Sequence, residues 1–255
     1  MSTTSTAAPT LTRVLAQGKF ETIAMLKNGE QLMLNIAFPI MSLLALAYTG
    51  FLDPWANRYG VSRVDIAVPG VLALCVLSTA LSGQGIATGF DRRYGVLRFI
   101  STTPLGKGGL IAGKVLAVLS VLLIQYLLVG ALGQLLGWTA TVPGVLMSLP
   151  TLLLGAACFT SLGLLIAGTV RAEATLAIVN MAWVLLAAAG GILIPTDRYP
   201  TWLSPIIDLL PSAALGNALR GDYIYHSFLL LPHLILVIAT VVFATLATRF
   251  FKWSA

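Results

Sequence analysis

Charged residues are scarce in this sequence. Only 9% of its 255 residues are Asp, Glu, Lys or Arg, whereas 58% are hydrophobic. A soluble domain carries roughly 25% charged residues. The chain therefore lacks the polar side chains that cover a water-exposed surface, and an ordinary soluble fold is excluded.

Cysteine and histidine are nearly absent as well. Cys75 and Cys158 each lie inside an apolar run, which excludes a disulfide framework. His226 and His233 can share a helix face, but no Cys, Asp or Glu stands beside them at the spacing of a metal site. The sequence predicts no metal site.

The sequence has instead a series of long apolar runs. Each is about 20 residues or more, enough for a helix to cross the roughly 30 Å hydrocarbon layer. They predict transmembrane helices over residues 31–52, 66–90, 110–137, 145–170, 174–194 and 228–250, with a short polar loop at 53–65. The predicted fold class is all-α, a polytopic membrane protein with six transmembrane helices.

The other stretches have compositions of their own. Residues 1–10 are rich in Ser, Thr and Ala and are expected to form a disordered tail, with a single transmembrane domain over 11–255. Residues 11–30 mix charges with apolar side chains at helical spacing, which predicts an amphipathic helix on the membrane surface. Residues 91–109 form the most polar internal stretch, and 195–227 predict short interfacial helices.

Basic residues are concentrated on one side of the predicted helices. That side holds Arg13, Lys19, Lys27, Arg92, Arg93, Arg98, Lys107, Lys114, Arg171, Arg249 and Lys252. Because basic loops resist translocation, this side is expected in the cytoplasm of a multi-pass cell-membrane protein, together with both termini. The net charge of +6 reflects this topology and does not indicate binding to nucleic acid.

Polar side chains inside the predicted spans are uncharged. The candidates for lining a substrate path are Gln84, Gln125, Gln134 and Asn180. Hydrogen bonding between helices is the alternative role for each of them. The acidic residues fall outside the predicted spans, which argues against a transporter driven by protons or ions.

Two glycine-rich stretches resemble nucleotide-binding motifs only in part. GGLIAGK at residues 108–114 is followed by Val115, where a phosphate loop has the Ser or Thr that holds magnesium. GQGIATG at residues 83–89 lies within an apolar span and is better explained by close helix packing. The chain is therefore expected to have no ATP site and not to be an enzyme.

Two segments resemble the type-2 ATP-binding-cassette (ABC) permease family, the membrane subunits of drug, lipid and polysaccharide exporters. Residues 91–105, DRRYGVLRFISTTPL, are similar to the family's pattern E-R-E-x-G-T-L-E-x-L-x-x-T-P-L after the second span. The matching residues are Asp91, Arg92, Gly95, Leu97, Thr103, Pro104 and Leu105. Arg93 and Arg98 replace residues that are usually acidic in the family.

The second similar segment is GGILIPTDRYPTWLSPIIDLLPSAALGNALRG, residues 190–221. It resembles the family's stretch of prolines, tryptophan and a closing arginine between spans five and six. The residues that carry this match are Pro195, Pro200, Trp202, Leu203, Pro205, Pro211 and Arg220. The resemblance implies that this segment forms an outer gate or interface.

The family resemblance implies an elbow helix at residues 11–30 and a cytoplasmic coupling helix within 91–105. The coupling helix would dock on a separate ABC ATPase, with Leu97 as an apolar contact. ATP and magnesium would bind only to that ATPase. A second permease copy or a related permease would complete the path, and membrane lipid would surround it.

The function implied by the resemblance is outward transport of a hydrophobic or amphipathic cargo, such as a drug or a lipid. A membrane enzyme or assembly factor for lipid, haem or cell-wall precursors is one alternative, with His226 and His233 in its site. A secondary transporter is another, although it requires an ion or proton site within the membrane.

Overall fold

The chain is almost entirely helical. The computed structural model describes residues 8–253, apart from the side chains of Glu30, Leu34 and Arg198. It is 83% helical, and no strand occurs over the described range. This confirms the all-α prediction. Residues 1–7 of the predicted tail lie outside the described residues.

Twelve α-helices follow one another in residues 8–253. They are α1 (Thr10–Lys27), α2 (Gly29–Tyr48), α3 (Asp53–Tyr59), α4 (Arg63–Val76), α5 (Gln84–Arg93), α6 (Val96–Ser101), α7 (Gly106–Leu135), α8 (Val142–Thr169), α9 (Ala172–Ala189), α10 (Ser204–Asp208), α11 (Pro211–Arg220) and α12 (Leu230–Phe250). Leu77–Gly83 and Gly221–Tyr225 are π-helical, and Gly50–Leu52 and Thr196–Arg198 are 3₁₀ turns.

Six stretches of the described chain are long and apolar enough to cross a membrane. They are Gln31–Tyr48, Arg63–Arg93, Gly106–Leu135, Val142–Thr169, Ala172–Ala189 and Leu230–Phe250, called spans 1 to 6 below. Span 2 is composite, since it joins α4, a π-helical turn and α5. The prediction of a polytopic protein with six spans is confirmed.

Span 2 is the core of the bundle. In its most apolar stretch 94% of the residues are buried, compared with 12% for span 1 and 22% for span 5. Helices α2, α7, α8, α9 and α11 all pack against it. Residues 66–77, IAVPGVLALCVL, are apolar on every side, as expected for a helix enclosed by other helices.

The π-helical part of span 2 lies close to span 4. A Cβ atom on Gly163 would stand 2.9 Å from the carbonyl oxygen of Leu81 and 3.2 Å from the backbone nitrogen of Gly85. Only glycine allows so close an approach of two backbones. The interpretation of residues 83–89 as a helix-packing surface is confirmed.

The connection between spans 1 and 2 differs from the predicted polar loop. Helix α3 occupies most of it and ends at Gly60, whose φ of 66° is the left-handed conformation that glycine adopts readily. Trp55 of this helix is buried, and its indole N–H donates to Asp197 at 2.7 Å. Contacts with residues beyond span 5 therefore stabilise α3, where the polar sequence predicted a loop.

The two ends of the bundle differ in content. The basic end contains the last residues of α5, α8 and α12, the first residues of α7 and α9, and the short helix α6. The opposite end contains α3 and the outer segment, residues 195–227, which includes α10 and α11. Helix α11 packs against α4, α8 and α12 and is largely buried.

Candidate functional site

A buried charge cluster centred on Lys114 joins three parts of the chain near the basic end. The Nζ atom of Lys114 lies 2.9 Å from Oε1 of Glu21, 3.4 Å from Oδ2 of Asp91 and 3.3 Å from Oε1 of Gln84. Glu21 belongs to α1, whereas Gln84 and Asp91 lie on α5. The cluster therefore ties the N-terminal helix and the end of span 2 to span 3.

The sequence predicts Lys114 among basic residues on the cytoplasmic side, but in the structure the side chain is 0% exposed inside α7. The approach of α1 makes its ion pair possible. A Cβ atom on Gly113 would lie 2.6 Å from the Cγ atom of Gln17 and 3.3 Å from the backbone nitrogen of Gly18. Two glycines thus bring α1 close enough for Glu21 to reach the lysine.

Two arginines connect the end of α5 to the turn between spans 4 and 5. Arg92 is buried, and its guanidinium donates to the backbone carbonyl of Val170. Arg93 is exposed and forms an ion pair with Glu173 of α9. Together with Asp91, these residues attach α5 to spans 3, 4 and 5.

Helix α6 has one buried face and one exposed face. It follows Gly95, whose φ of 79° is left-handed and separates α6 from α5. Leu97 and Ile100 are buried in an apolar cluster whose other members are Leu110, Ile111, Leu164, Ala247 and Phe251. On the other side Phe99 is 74% exposed, and Tyr94, just before the helix, is 73% exposed.

The residues of the predicted coupling segment are close together but differ in exposure. Arg93, Gly95, Arg98, Thr103 and Pro104 are exposed, Asp91 and Leu105 are half-buried, and Arg92 and Leu97 are buried. Leu97 therefore supports α6 from inside and offers no surface to a partner. Phe99 is the exposed apolar residue instead. Leu97 and Ile100 share one helix face at a spacing of three residues, but Val96 and Phe99 have the same spacing, so the sequence alone does not show which face is buried.

A cavity of about 770 Å³ opens on the side of the bundle among spans 1, 2 and 5. Polar groups line it beside aromatic rings. The uncharged polar residues are Asn28, Gln31, Asn35, Ser78, Ser82 and Asn180, the aromatic residues are Phe38, Phe90 and Trp183, and Asp91 is the one charged residue of the lining. The indole N–H of Trp183 donates to the Ser78 hydroxyl at 2.9 Å, and its ring meets Phe38 edge-on. The cavity can accept a molecule with both aromatic and polar parts.

Only one of the four predicted path residues, Asn180, lines this cavity. Gln84 belongs to the Lys114 cluster, and its amide also donates to the sulfur of Met25 at 3.0 Å. Gln125 accepts a hydrogen bond from Thr79 and donates to the backbone of span 1. Gln134 is exposed near the end of α7. Gln84 and Gln125 thus have the alternative role of hydrogen bonding between helices.

Arg220 connects the outer segment to the end of span 5. Its Nη1 and Nη2 atoms each lie 3.1 Å from the carbonyl oxygen of Gly191, and Nη2 also donates to the carbonyl of Ile192. Burial lowers the pKa of Arg220 to about 10, so the guanidinium remains charged at neutral pH. Arg220 therefore holds the chain reversal after α9 against α11.

The remaining residues of the predicted outer gate are not one surface. Pro195 is buried, Leu203 and Pro211 are half-buried, and Trp202 and Pro205 are exposed.

The two histidines differ in backbone conformation and in burial. His226 has a left-handed φ of 49° before α12, whereas His233 is buried within α12. Across residues 8–253, no three His, Cys, Asp or Glu side chains are grouped so that they could hold a metal ion.

Comparison with known protein families decides the class. The profile described as ABC-2 type transporter matches residues 12–224. The chain belongs to the ABC-2 type transporter family. No curated protein matches it in a sequence comparison. The matched range of this ABC-2 permease includes the Lys114 cluster, α6, the lateral cavity and Arg220, so the protein is a membrane permease component of an ABC transporter.

Proposed function

We propose that this ABC-2 permease moves a hydrophobic or amphipathic cargo, such as a drug or lipid, outward across the cell membrane. A separate cytoplasmic ABC ATPase, which binds ATP and magnesium, supplies the energy. The observation that carries the proposal is helix α6. Its Leu97 face is packed inside the permease, while Phe99 and Tyr94 project from a polar, basic segment.

Two exposed aromatic residues in a basic segment support docking of a protein partner. Phe99 and Tyr94 offer apolar area, and Arg98 is exposed in the same segment. Arg93 is exposed as well, with its charge paired to Glu173. Aromatic residues and arginine are the types enriched in protein interfaces. The positive charge favours an acidic groove on the ATPase. With the basic end in the cytoplasm, α6 faces that partner.

The contacts behind α6 can carry its movement into the membrane. Arg92 connects α5 to span 4, and Asp91 connects it to Lys114 of span 3. Lys114 in turn holds Glu21 of α1. Closure of two ATPases around ATP would shift α6, and these attachments would shift spans 2, 3 and 4 with α1. ATP binding would thereby bias the bundle between two conformations.

The cargo path lies along the open cavity among spans 1, 2 and 5. Among the spans that pack against span 2, spans 1 and 5 are the least buried, at 12% and 22%. A second permease, identical or related, would pack there and close the cavity. Aromatic rings beside several amides and the Asp91 carboxyl suit an amphipathic cargo. The outer segment, held by Arg220, would cap the path at the other end.

Site-directed cysteine crosslinking tests the partner and the orientation together. Both native cysteines are buried, so an introduced thiol dominates labelling. The variant F99C is expected to crosslink to a co-expressed ABC ATPase and to react only with membrane-permeant maleimide. The matched variant W202C, in the outer segment, is expected to react with impermeant maleimide and not to crosslink. External labelling at position 99, or equal crosslinking from both positions, would contradict the proposal.

A further inference from the structure

Three buried polar side chains form a hydrogen-bonded chain that the proposed transport cycle does not use. Asp222 lies in the π-helical turn of the outer segment, Thr151 in span 4 and His233 in span 6. Their exposures are 0%, 0% and 4%. The Oγ1 atom of Thr151 stands 2.7 Å from Oδ2 of Asp222 and 2.9 Å from Nε2 of His233.

The geometry of these three side chains shows which of their atoms carry a proton. The Nδ1 atom of His233 lies 2.7 Å from the carbonyl oxygen of Leu229, so Nδ1 carries a proton. In neutral imidazole Nε2 is then an acceptor, as is an ionised Asp222. The single hydroxyl proton of Thr151 can serve only one of them. The carbonyl of Met147, at 3.4 Å, is a weaker third acceptor.

We propose that Asp222, Thr151 and His233 form a proton-binding site, and that one shared proton latches the outer segment to spans 4 and 6. With that proton on Nε2 of His233, the imidazolium donates to Thr151 and Thr151 donates to the Asp222 carboxylate. With the proton on Asp222, the carboxyl donates to Thr151 and Thr151 donates to His233. Both arrangements satisfy both contacts, and both have zero net charge.

Without the shared proton the site has a buried negative charge and one contact between two acceptors. The Oδ1 atom of Asp222 is buried and has no hydrogen-bond partner among the described residues, so it does not stabilise the ionised form. Burial accordingly raises the pKa of Asp222 above its ordinary value. Geometry and desolvation therefore both favour the protonated site.

The groups around the site do not supply a competing charge. Tyr223 is adjacent in the chain, and its hydroxyl bonds to Ser148 of span 4 and to Tyr126 of span 3. Desolvation raises the pKa of Tyr223, so this phenol stays neutral. Arg220 faces the carbonyls of Gly191 and Ile192, and the exposed His226 contacts Thr141.

The direction of the pH effect follows from Asp222. Burial raises the pKa of this carboxyl, so its protonated form stabilises the folded contact below the unfolded pKa, and that contribution is lost as pH rises through the folded pKa. The latch is thus closed at lower pH and weakened at higher pH. Opening releases the end of α11 and the following turn from spans 4 and 6.

Hydrogen–deuterium exchange of the full chain in nanodiscs tests the latch. Exchange is measured on peptides covering residues 211–229 from about pH 5 to pH 8, above the range in which an ordinary aspartate titrates. Exposure times are scaled for the chemical exchange rate. Wild-type exchange is expected to accelerate with pH by up to about tenfold per unit, the limit for one proton.

Two variants remove the need for the shared proton from opposite sides. In D222N the amide donates to Thr151, and in H233Q the new amide does so from the other side. Both are expected to keep the contacts. D222N should lose the pH dependence, whereas H233Q should reduce it, because the buried Asp222 carboxyl remains. T151S retains the hydroxyl and should behave as wild type, as should H226Q, which removes the other histidine. pH-independent wild-type exchange, or an unchanged dependence in both D222N and H233Q, would overturn the proposal.

Discussion

The ammonium of Lys114 lies 2.9 Å from Oε1 of Glu21, across the contact between α7 and α1. The side chains are 0% and 8% exposed, so water hardly screens the pair. Replacing a whole buried pair by apolar groups is often neutral, but removing one partner leaves a buried charge without compensation. The pair therefore opposes any shift of α1 that would separate Glu21 from Lys114.

Replacement of Lys114 by methionine is expected to destabilise the protein strongly. K114M leaves Glu21 and Asp91 facing each other without a cation, at a cost of about 3–5 kcal/mol. The double variant K114M/E21Q should recover part of this loss, because one buried charge is removed with its partner. Thermal unfolding in detergent measures both. K19M changes an exposed lysine of α1 and should unfold as wild type. Equal melting of K114M and K19M would contradict this prediction.

Two substitutions on α6 are expected to have opposite consequences. L97D places a charge in the apolar cluster around Phe251 and should loosen α6 and lower the melting temperature. F99D changes a side chain that is 74% exposed and should leave the melting temperature within about 1 °C of wild type, because exposed substitutions have small effects. F99D should instead reduce ATPase activity in the assembled transporter. Wild-type ATPase activity in the assembled F99D transporter would show that Phe99 is not part of the docking surface.

Gly163 is expected to tolerate no side chain, unlike Gly108. A methyl group at position 163 would press on the backbone of Leu81 and Gly85, neither of which can rotate away. G163A should therefore destabilise the protein by about 1–3 kcal/mol. G108A, near the start of α7, meets nothing within 4 Å and should be neutral or stabilising by up to about 1 kcal/mol. The melting temperatures of G163A and G108A test this prediction. Equal values would show that Gly163 is not closely packed.

Lysine at position 220 is not expected to hold the chain reversal after α9 as arginine does. The guanidinium reaches the carbonyls of both Gly191 and Ile192, whereas an ammonium lacks the planar fork. R220K should keep the charge but accelerate hydrogen exchange of residues 190–194 about tenfold or more, corresponding to loss of one charged hydrogen bond of about 1.5–3 kcal/mol. R58K, at an exposed arginine paired with Asp197, serves as the matched control. Wild-type protection in R220K would show that the clamp is unnecessary.

The sequence predicts most of the architecture because membrane spans are a local property. Six apolar runs, an amphipathic segment at α1 and a polar segment containing α6 follow directly from residue order. The pattern of residues 91–105 also places the candidate coupling residues together, since they are neighbours in the chain. It does not distinguish Leu97 from Phe99, because the direction of each side chain depends on what α6 packs against.

The order of its residues determined that the protein is an all-α membrane protein, since each apolar run is long enough to cross a bilayer as a helix that satisfies its own backbone hydrogen bonds. Only the tertiary structure decided which polar groups meet. Lys114 finds Glu21 from a distant helix, and Asp222, which lies outside every span, is buried beside Thr151 and His233. The hydropathy of a segment is a sum over residues that are neighbours in the chain. Hydrogen bonds and ion pairs depend instead on which helices are adjacent and how closely their backbones approach.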